Sequence, residues 1–331
     1  MSVLQHLMET DGNSHCGLLI DAHQCSLMPV NTMPACRPSL MRPNEKSPRL
    51  PAMFKDISVL MMGIASDEAL LAAAAQLSRH FQARLSPIQV VDLPELPYNT
   101  WAILPDPGIT KAHDAIRQQA AELAERAGRQ LAGMQLDAAP FQRMEALYTD
   151  PWTVAAKECF CTDLIIAGRS GTGPPAQRET QGIATLILQS GRPILLLPGE
   201  AKPQGQPAKI VVAWTPTRES ARAVHDALPF LRQADSVDIL ALVDDSNAEE
   251  NRRALPLIVA HLDRHGVKAK PVVQASLGMD IASLVLAHAK TMHAELVVAG
   301  GYGHSRFREW ALGGVTRELL LTSHLPVFLS H

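Results

Sequence analysis

The sequence lacks any apolar run long enough to cross a bilayer. Runs such as Ile194-Leu195-Leu196-Leu197 and Ile210-Val211-Val212-Ala213-Trp214 fall far short of the roughly 20 residues of a spanning helix. It also lacks a secretory signal, since Glu9, Asp11 and Asp21 interrupt the first residues and no apolar stretch follows a basic start. Charge of one sign is missing too: 30 Lys and Arg stand against 33 Asp and Glu, a net charge of −3. That balance removes the electrostatic footprint of a nucleic-acid binder. Cysteine is sparse and odd in number, with Cys16, Cys25, Cys36, Cys159 and Cys161 at no framework spacing. At least one thiol has no partner within the chain, which suits a reducing compartment. The expectation is a cytoplasmic protein that engages neither membrane nor nucleic acid.

What is present is apolar enough to fold. With 331 residues, 47% of them hydrophobic and 19% charged, the chain has the length of two globular domains. Residues 1–52 stand apart, carrying prolines at 29, 34, 38, 43, 48 and 51 without a sustained helical or strand period. They read as an unstructured leader. Its His15, Cys16, His23, Cys25 and Cys36 form no recognisable metal-binding unit. Met53-Phe54-Lys55-Asp56, just before an apolar run, reads as an ordinary protein start and is a second candidate beside Met1.

From residue 53 onward the chain repeats itself. Val90-Val91-Asp92 matches Leu242-Val243-Asp244, and at the same offset of 152 residues Ser66-Asp67-Glu68-Ala69 aligns with Arg218-Glu219-Ser220-Ala221. Further on, Asp163-Leu164-Ile165-Ile166-Ala167-Gly168 matches Glu295-Leu296-Val297-Val298-Ala299-Gly300 at an offset of only 132. The first copy therefore carries extra residues, placed in the Pro-rich stretch 93–108. Residues 199–207 read as a linker, giving domains at 53–198 and 208–331. In the second copy, short apolar strands at 210–213, 237–243, 272–273, 296–299 and 327–329 alternate with amphipathic helices. One of these is capped by Thr217 and carries Ala221, Val224, Leu228 and Leu231 on a single stripe. Buried strands alternating with helices predict a doubly wound α/β fold with a parallel sheet, and the first copy repeats the order.

The segment from Gly300 to Thr316 carries the chemical interest, because it follows a strand, precedes a helix and is rich in glycine. Such a turn can bring backbone amides close to an anion; the alternative is a tight strand exit and nothing more. Gly300, Gly303 and Gly313 fit a G-x2-G-x9-G pattern, with Pro326-Val327 opening the last strand. In this the chain resembles the universal stress protein family, in a tandem form spanning both copies. The resemblance implies two five-stranded parallel domains of the adenine nucleotide α-hydrolase-like type. It also implies a stress-response role through binding, with ATP or a related nucleotide held in the second domain and Mg2+ only alongside nucleotide. It assigns phosphate contacts to Gly300, Gly303, Gly313, Gly314 and Val315, with Thr316 and Arg306 as secondary contacts.

Two departures from that family are visible. The position after Gly313 is Gly314 rather than a hydroxyl residue, and the strand-end aspartate is replaced by Thr215 in the second copy and Gly63 in the first. Thr215 can offer one hydrogen bond; Trp214 reads as packing. In the first copy Gly168-Arg169-Ser170-Gly171 opens the pattern, but Gln181 stands where its later glycine belongs, with Gly182 one place late and Pro174-Pro175 breaking the loop. That copy is expected to serve as a partner for the second, the two pairing within the chain as a pseudo-dimer through residues 194–197 and 327–329, with a further homodimer open.

No catalytic residue is assigned: His304-Ser305 is not a nucleophile and base spacing, and no G-x-S-x-G elbow occurs. His225 reads as a helix-surface residue and Cys159-Phe160-Cys161 as the lead into a buried strand. Two other readings stay open, a weakly ATP-hydrolysing enzyme and a nucleotide-free interaction module using residues 93–108 on an unidentified protein partner.

Overall fold

The computed structural model describes residues 54–64, 66–93, 107–169, 174–199, 205–301 and 314–331. The leader at 1–52 lies outside the described residues, as do most of the Pro-rich stretch and residues 200–204 of the linker.

Among the described residues, ten strands form one sheet, and each half contributes five. The first half supplies β1 (Asp56–Met61), β2 (Arg84–Leu93), β3 (Gln142–Leu147), β4 (Leu164–Arg169) and β5 (Ile194–Pro198). The second supplies β6 (Lys209–Trp214), β7 (Ser236–Val243), β8 (Ala269–Ala275), β9 (Leu296–Gly300) and β10 (Val327–Ser330). Their order is β3-β2-β1-β4-β5-β10-β9-β6-β7-β8. Within each half all pairs are parallel, and each half has the same internal order reflected about the centre. The halves meet antiparallel where Val327 faces Leu196, Phe328 faces Leu195 and Leu329 faces Ile194. The last strand of each half would otherwise end in unpaired N–H and C=O groups; pairing them with each other puts β3 and β8 at the two ends of the order of described strands.

Strand burial explains why these segments read as nearly continuous apolar runs. Ile57, Val59, Met61, Ile166 and Val298 pack into one hydrophobic layer, whereas Leu60, Ile165, Val297 and Ala299 pack into the other. Side chains alternate between the two faces and both faces are covered, as parallel sheets require. One face carries α1 (Asp67–Phe81), α2 (Pro107–Ala132), α5 (Arg218–Asp226), α6 (Leu228–Leu231) and α7 (Ala248–Arg264). The other carries α3 (Pro151–Glu158), α4 (Pro174–Ser190), α8 (Ile281–Met292) and α9 (Gly314–Thr322). Each layer contains residues of both halves, so the core does not divide at the linker.

Three local readings change. The stripe from Ala221 to Leu231 is two helices, because α5 stops at Asp226 and α6 restarts at Leu228 with a proline in its first turn. Pro229 has no N–H with which to continue the ladder. The extra length of the first half is partly helix, since α2 spans 26 residues and its counterpart α7 spans 17. Pro174 and Pro175 open α4 rather than interrupting a loop, the position where a missing N–H costs nothing.

Among the described residues, no helix is long and apolar enough to cross a membrane.

Candidate functional site

In the second half, strand order reverses between β6 and β9: the chain leaves β6 for β7 on one side and returns to β9 on the other. Open α/β sheets leave a crevice at such a point, beyond the carboxyl ends of the strands. Here it is a cavity of about 200 Å³. Leu240, Leu242, Ile281 and Val285 form an apolar wall from β7 and α8. Trp214, Thr215, Thr217 and Glu219 come from the end of β6 and the start of α5, and Gly300, Gly314, Val315 and Thr316 from the end of β9 and the first turn of α9.

The cavity therefore gathers Thr215, Gly300, Gly314, Val315 and Thr316 of the sequence-derived set. Gly303, Arg306 and Gly313 lie outside the described residues. Thr215 is exposed at the rim and Thr316 is buried. Trp214 is 7% exposed and packs into the core while lining the cavity; its buried indole N–H has no hydrogen-bond partner.

Two glycines have packing reasons that spacing alone does not reveal. A Cβ on Gly300 would lie 2.7 Å from the Ser220 backbone nitrogen and 2.8 Å from the Glu219 carbonyl carbon. Gly300 is thus what lets the first turn of α5 press against the exit of β9. Around Gly314 there is open space. In the first half, Gly182 is not a displaced loop glycine: it lies within α4, and a Cβ there would fall 1.9 Å from the Trp152 indole nitrogen of α3.

Glu219 is the residue that sequence reading missed. The strand-end carboxylate is indeed absent, yet a carboxylate reaches the cavity from the neighbouring helix. Thr217 caps α5 by accepting a hydrogen bond from the Ser220 N–H at 3.3 Å, which places Glu219 in the first turn with its side chain 5% exposed. Arg218, 83% exposed, donates to it from outside. Burial by itself would push the Glu219 carboxyl up. Hydrogen bonds from Arg218, from its own backbone N–H and from the Thr217 hydroxyl outweigh that and hold it below the usual carboxylate range. One signal was available: the internal repeat aligns Glu219 with Asp67.

Asp67 sits in the equivalent place of the first half and is 1% exposed. Its Oδ2 accepts the backbone N–H groups of Gly63 at 2.8 Å and Ile64 at 3.2 Å. Gly63 has φ +77°, and the turn it makes aims both amides at the carboxylate. A separate small cavity between α1 and the ends of β4 and β5, lined by Ser66, Leu70, Gly168 and Gly199 among others, has about 10 Å³, room for a single water at most. Ile64 and Leu70 press on Gly168, with their methyl carbons 3.2 and 3.4 Å from where a Cβ would stand.

The halves also touch across α9. From the end of β4, the Arg169 guanidinium donates to the Leu320 and Ser323 carbonyls at the C-terminus of α9, the end of a helix that favours a cation. At the matching position of the second half, Gly301 donates its N–H to the Ser330 carbonyl at 2.8 Å and packs against Ile187 of α4.

Remaining candidates do not reach the cavity. His225 is exposed on α5, 3.5 Å from Asp226. No group of three metal-ligating side chains occurs among the described residues. Cys159 is buried and its thiol is pushed up to about 12 by burial, while Cys161 is exposed. Because the thiolate is the reactive form, iodoacetamide applied to the native protein should label Cys161 and spare Cys159 in a peptide map. Equal labelling of both would contradict the burial.

Comparison with known proteins gives a consistent picture. Residues 208–331 match the model of the Universal stress protein family. No curated protein matches the sequence. The crystal structure of a universal stress protein from Archaeoglobus fulgidus DSM 4304 is similar over 82% of this chain and 95% of that one, with a TM-score of 0.62 at 14% identity. A functionally unknown protein from Pseudomonas aeruginosa PAO1 is similar over 84% and 93% respectively, with a TM-score of 0.51 at 12% identity. At these identities the likeness is one of fold.

Proposed function

Since residues 208–331 are a universal stress protein domain, we propose that this chain is a stress-response protein that acts by binding, and that its second half holds ATP or a related nucleotide weakly. The observation that carries the reading is the cavity itself: about 200 Å³ at the strand-order reversal of the second half, lined from the ends of β6 and β9, from β7 and α8, and from the first turn of α9. An apolar wall of Leu240, Leu242, Ile281 and Val285 suits the face of a base, and the polar groups of exposed Thr215, buried Thr316 and the first turn of α9 suit a sugar and its substituents. Magnesium would accompany the nucleotide only, there being no protein cluster among the described residues to hold it.

Titration calorimetry with ATP and magnesium, paired with an assay for released phosphate, tests this. The proposal expects heat of binding without turnover. Turnover would favour the hydrolase reading, and no heat would favour an interaction module. Leu242→Trp, which puts an indole into the cavity from β7, should weaken binding at least tenfold while the circular dichroism spectrum stays unchanged. Unaltered binding in that variant would place the nucleotide elsewhere.

A further inference from the structure

We infer that Glu219 sets the ligand class of this cavity, so that the site prefers an uncharged ribonucleoside to its phosphorylated forms. The inference rests on the nucleotide reading above and sharpens it.

Two helices, α5 and α9, begin at the cavity. Helix starts present unpaired N–H groups and positive dipole ends, and so attract an anion. In this protein an anion is already there. The Glu219 carboxylate belongs to the first turn of α5, and among the described residues lining the cavity it is the only charged side chain. Its cationic neighbour, Arg218, points outward at 83% exposure and does not line the cavity. Among the described residues, the cavity side of the wall therefore carries this carboxylate and no cation.

The position of Gly300 sharpens the point. The glycine that opens the loop has the Glu219 backbone pressed against it, with a Cβ on Gly300 falling 3.0 Å from the Glu219 Cβ. A phosphate brought to Gly300 would arrive beside an ionised carboxylate in a part-buried setting where like charges repel strongly. A hydroxyl or amino group arriving there would instead find an acceptor. The first half has an acid at the aligned position: Asp67 accepts the Gly63 and Ile64 amides just beyond β1. In both halves the chain supplies its own anion at this place.

The test is a ranking by calorimetry of adenosine, AMP and ATP with magnesium against the full chain and against Glu219→Gln. The expected result is that adenosine binds the unaltered protein at least tenfold more tightly than ATP, with AMP between them. In Glu219→Gln the gap should close to threefold or less, with ATP binding at least threefold more tightly than it binds the unaltered protein. ATP binding the unaltered protein as tightly as adenosine would overturn the inference whether or not the variant folds, and so would an unchanged gap in a folded variant. Absence of binding by all three ligands would overturn the nucleotide reading itself, and the inference with it.

Discussion

Phe230→Ala should lower the stability of the chain by about 4 kcal/mol, measured as the shift in a urea unfolding curve. Phe230 is 1% exposed and belongs to α6 of the second half. Its ring lies 5.3 Å from that of Phe81 and 5.5 Å from that of Phe54, both in the first half, and 6.0 Å from that of Phe328 in β10. Phe54 and Phe81 close the group at 5.0 Å, edge to face. Removing the ring loses its own burial and opens a space that neither half can collapse into alone. It also loses aromatic contacts that each add about 1 kcal/mol beyond burial. Phe230→Leu, which keeps most of the volume, should cost far less. Because the group draws two rings from each half, the unfolding transitions followed through each half should move together. A loss below about 1 kcal/mol for the alanine variant would show that the site relaxes and that the shared layer does not bind the halves.

That aromatic group marks the boundary of what the sequence discloses. Strands such as Ile210-Val211-Val212 announce themselves because both sheet faces are covered, and a run of β-branched residues has no other economical home. Helix α5 announces itself through Thr217, whose hydroxyl caps the turn that follows. The meeting of Phe54, Phe81, Phe230 and Phe328 leaves no local trace, since it depends on the antiparallel junction of β5 with β10 and on the short helix α6. Glycines mislead for a related reason. Spacing records that a side chain is missing but not what occupies its place: for Gly300 it is the backbone of α5, and for Gly182 it is the Trp152 indole. The candidate site was legible in outline, as the turn between β9 and α9. Its charge was not, because the carboxylate is missing from the strand end and Glu219 stands four residues on, in the first turn of a helix. The aligned acids Asp67 and Glu219 were the one mark of it.

Asp67→Asn should stabilise the protein at neutral and alkaline pH, with an advantage that disappears in acid. Burial pushes the Asp67 carboxyl up from its ordinary value of 3.8 to about 6; hydrogen bonds from the Gly63 and Ile64 amides oppose this, and Glu179 nearby adds to it. One oxygen accepts those two amides, while the other is buried without a partner. Below about pH 4 the group is protonated in both the folded and unfolded chain and contributes nothing to the difference. Between about 4 and 6 the unfolded chain has released the proton while the folded chain still holds it, so the folded state binds more protons and its stability falls as pH rises. Above about 6 the folded chain ionises too and the loss levels off. A shift of this size corresponds to about 3 kcal/mol. Asparagine keeps an oxygen for the Gly63 and Ile64 amides and never ionises. The difference in unfolding free energy between Asp67→Asn and the unaltered chain should therefore move in favour of the variant by about 3 kcal/mol from pH 4 to pH 8. Denaturant unfolding at a series of pH values measures it directly. A difference that stays flat across that range would mean that the carboxylate is solvated or paired in the folded chain rather than buried.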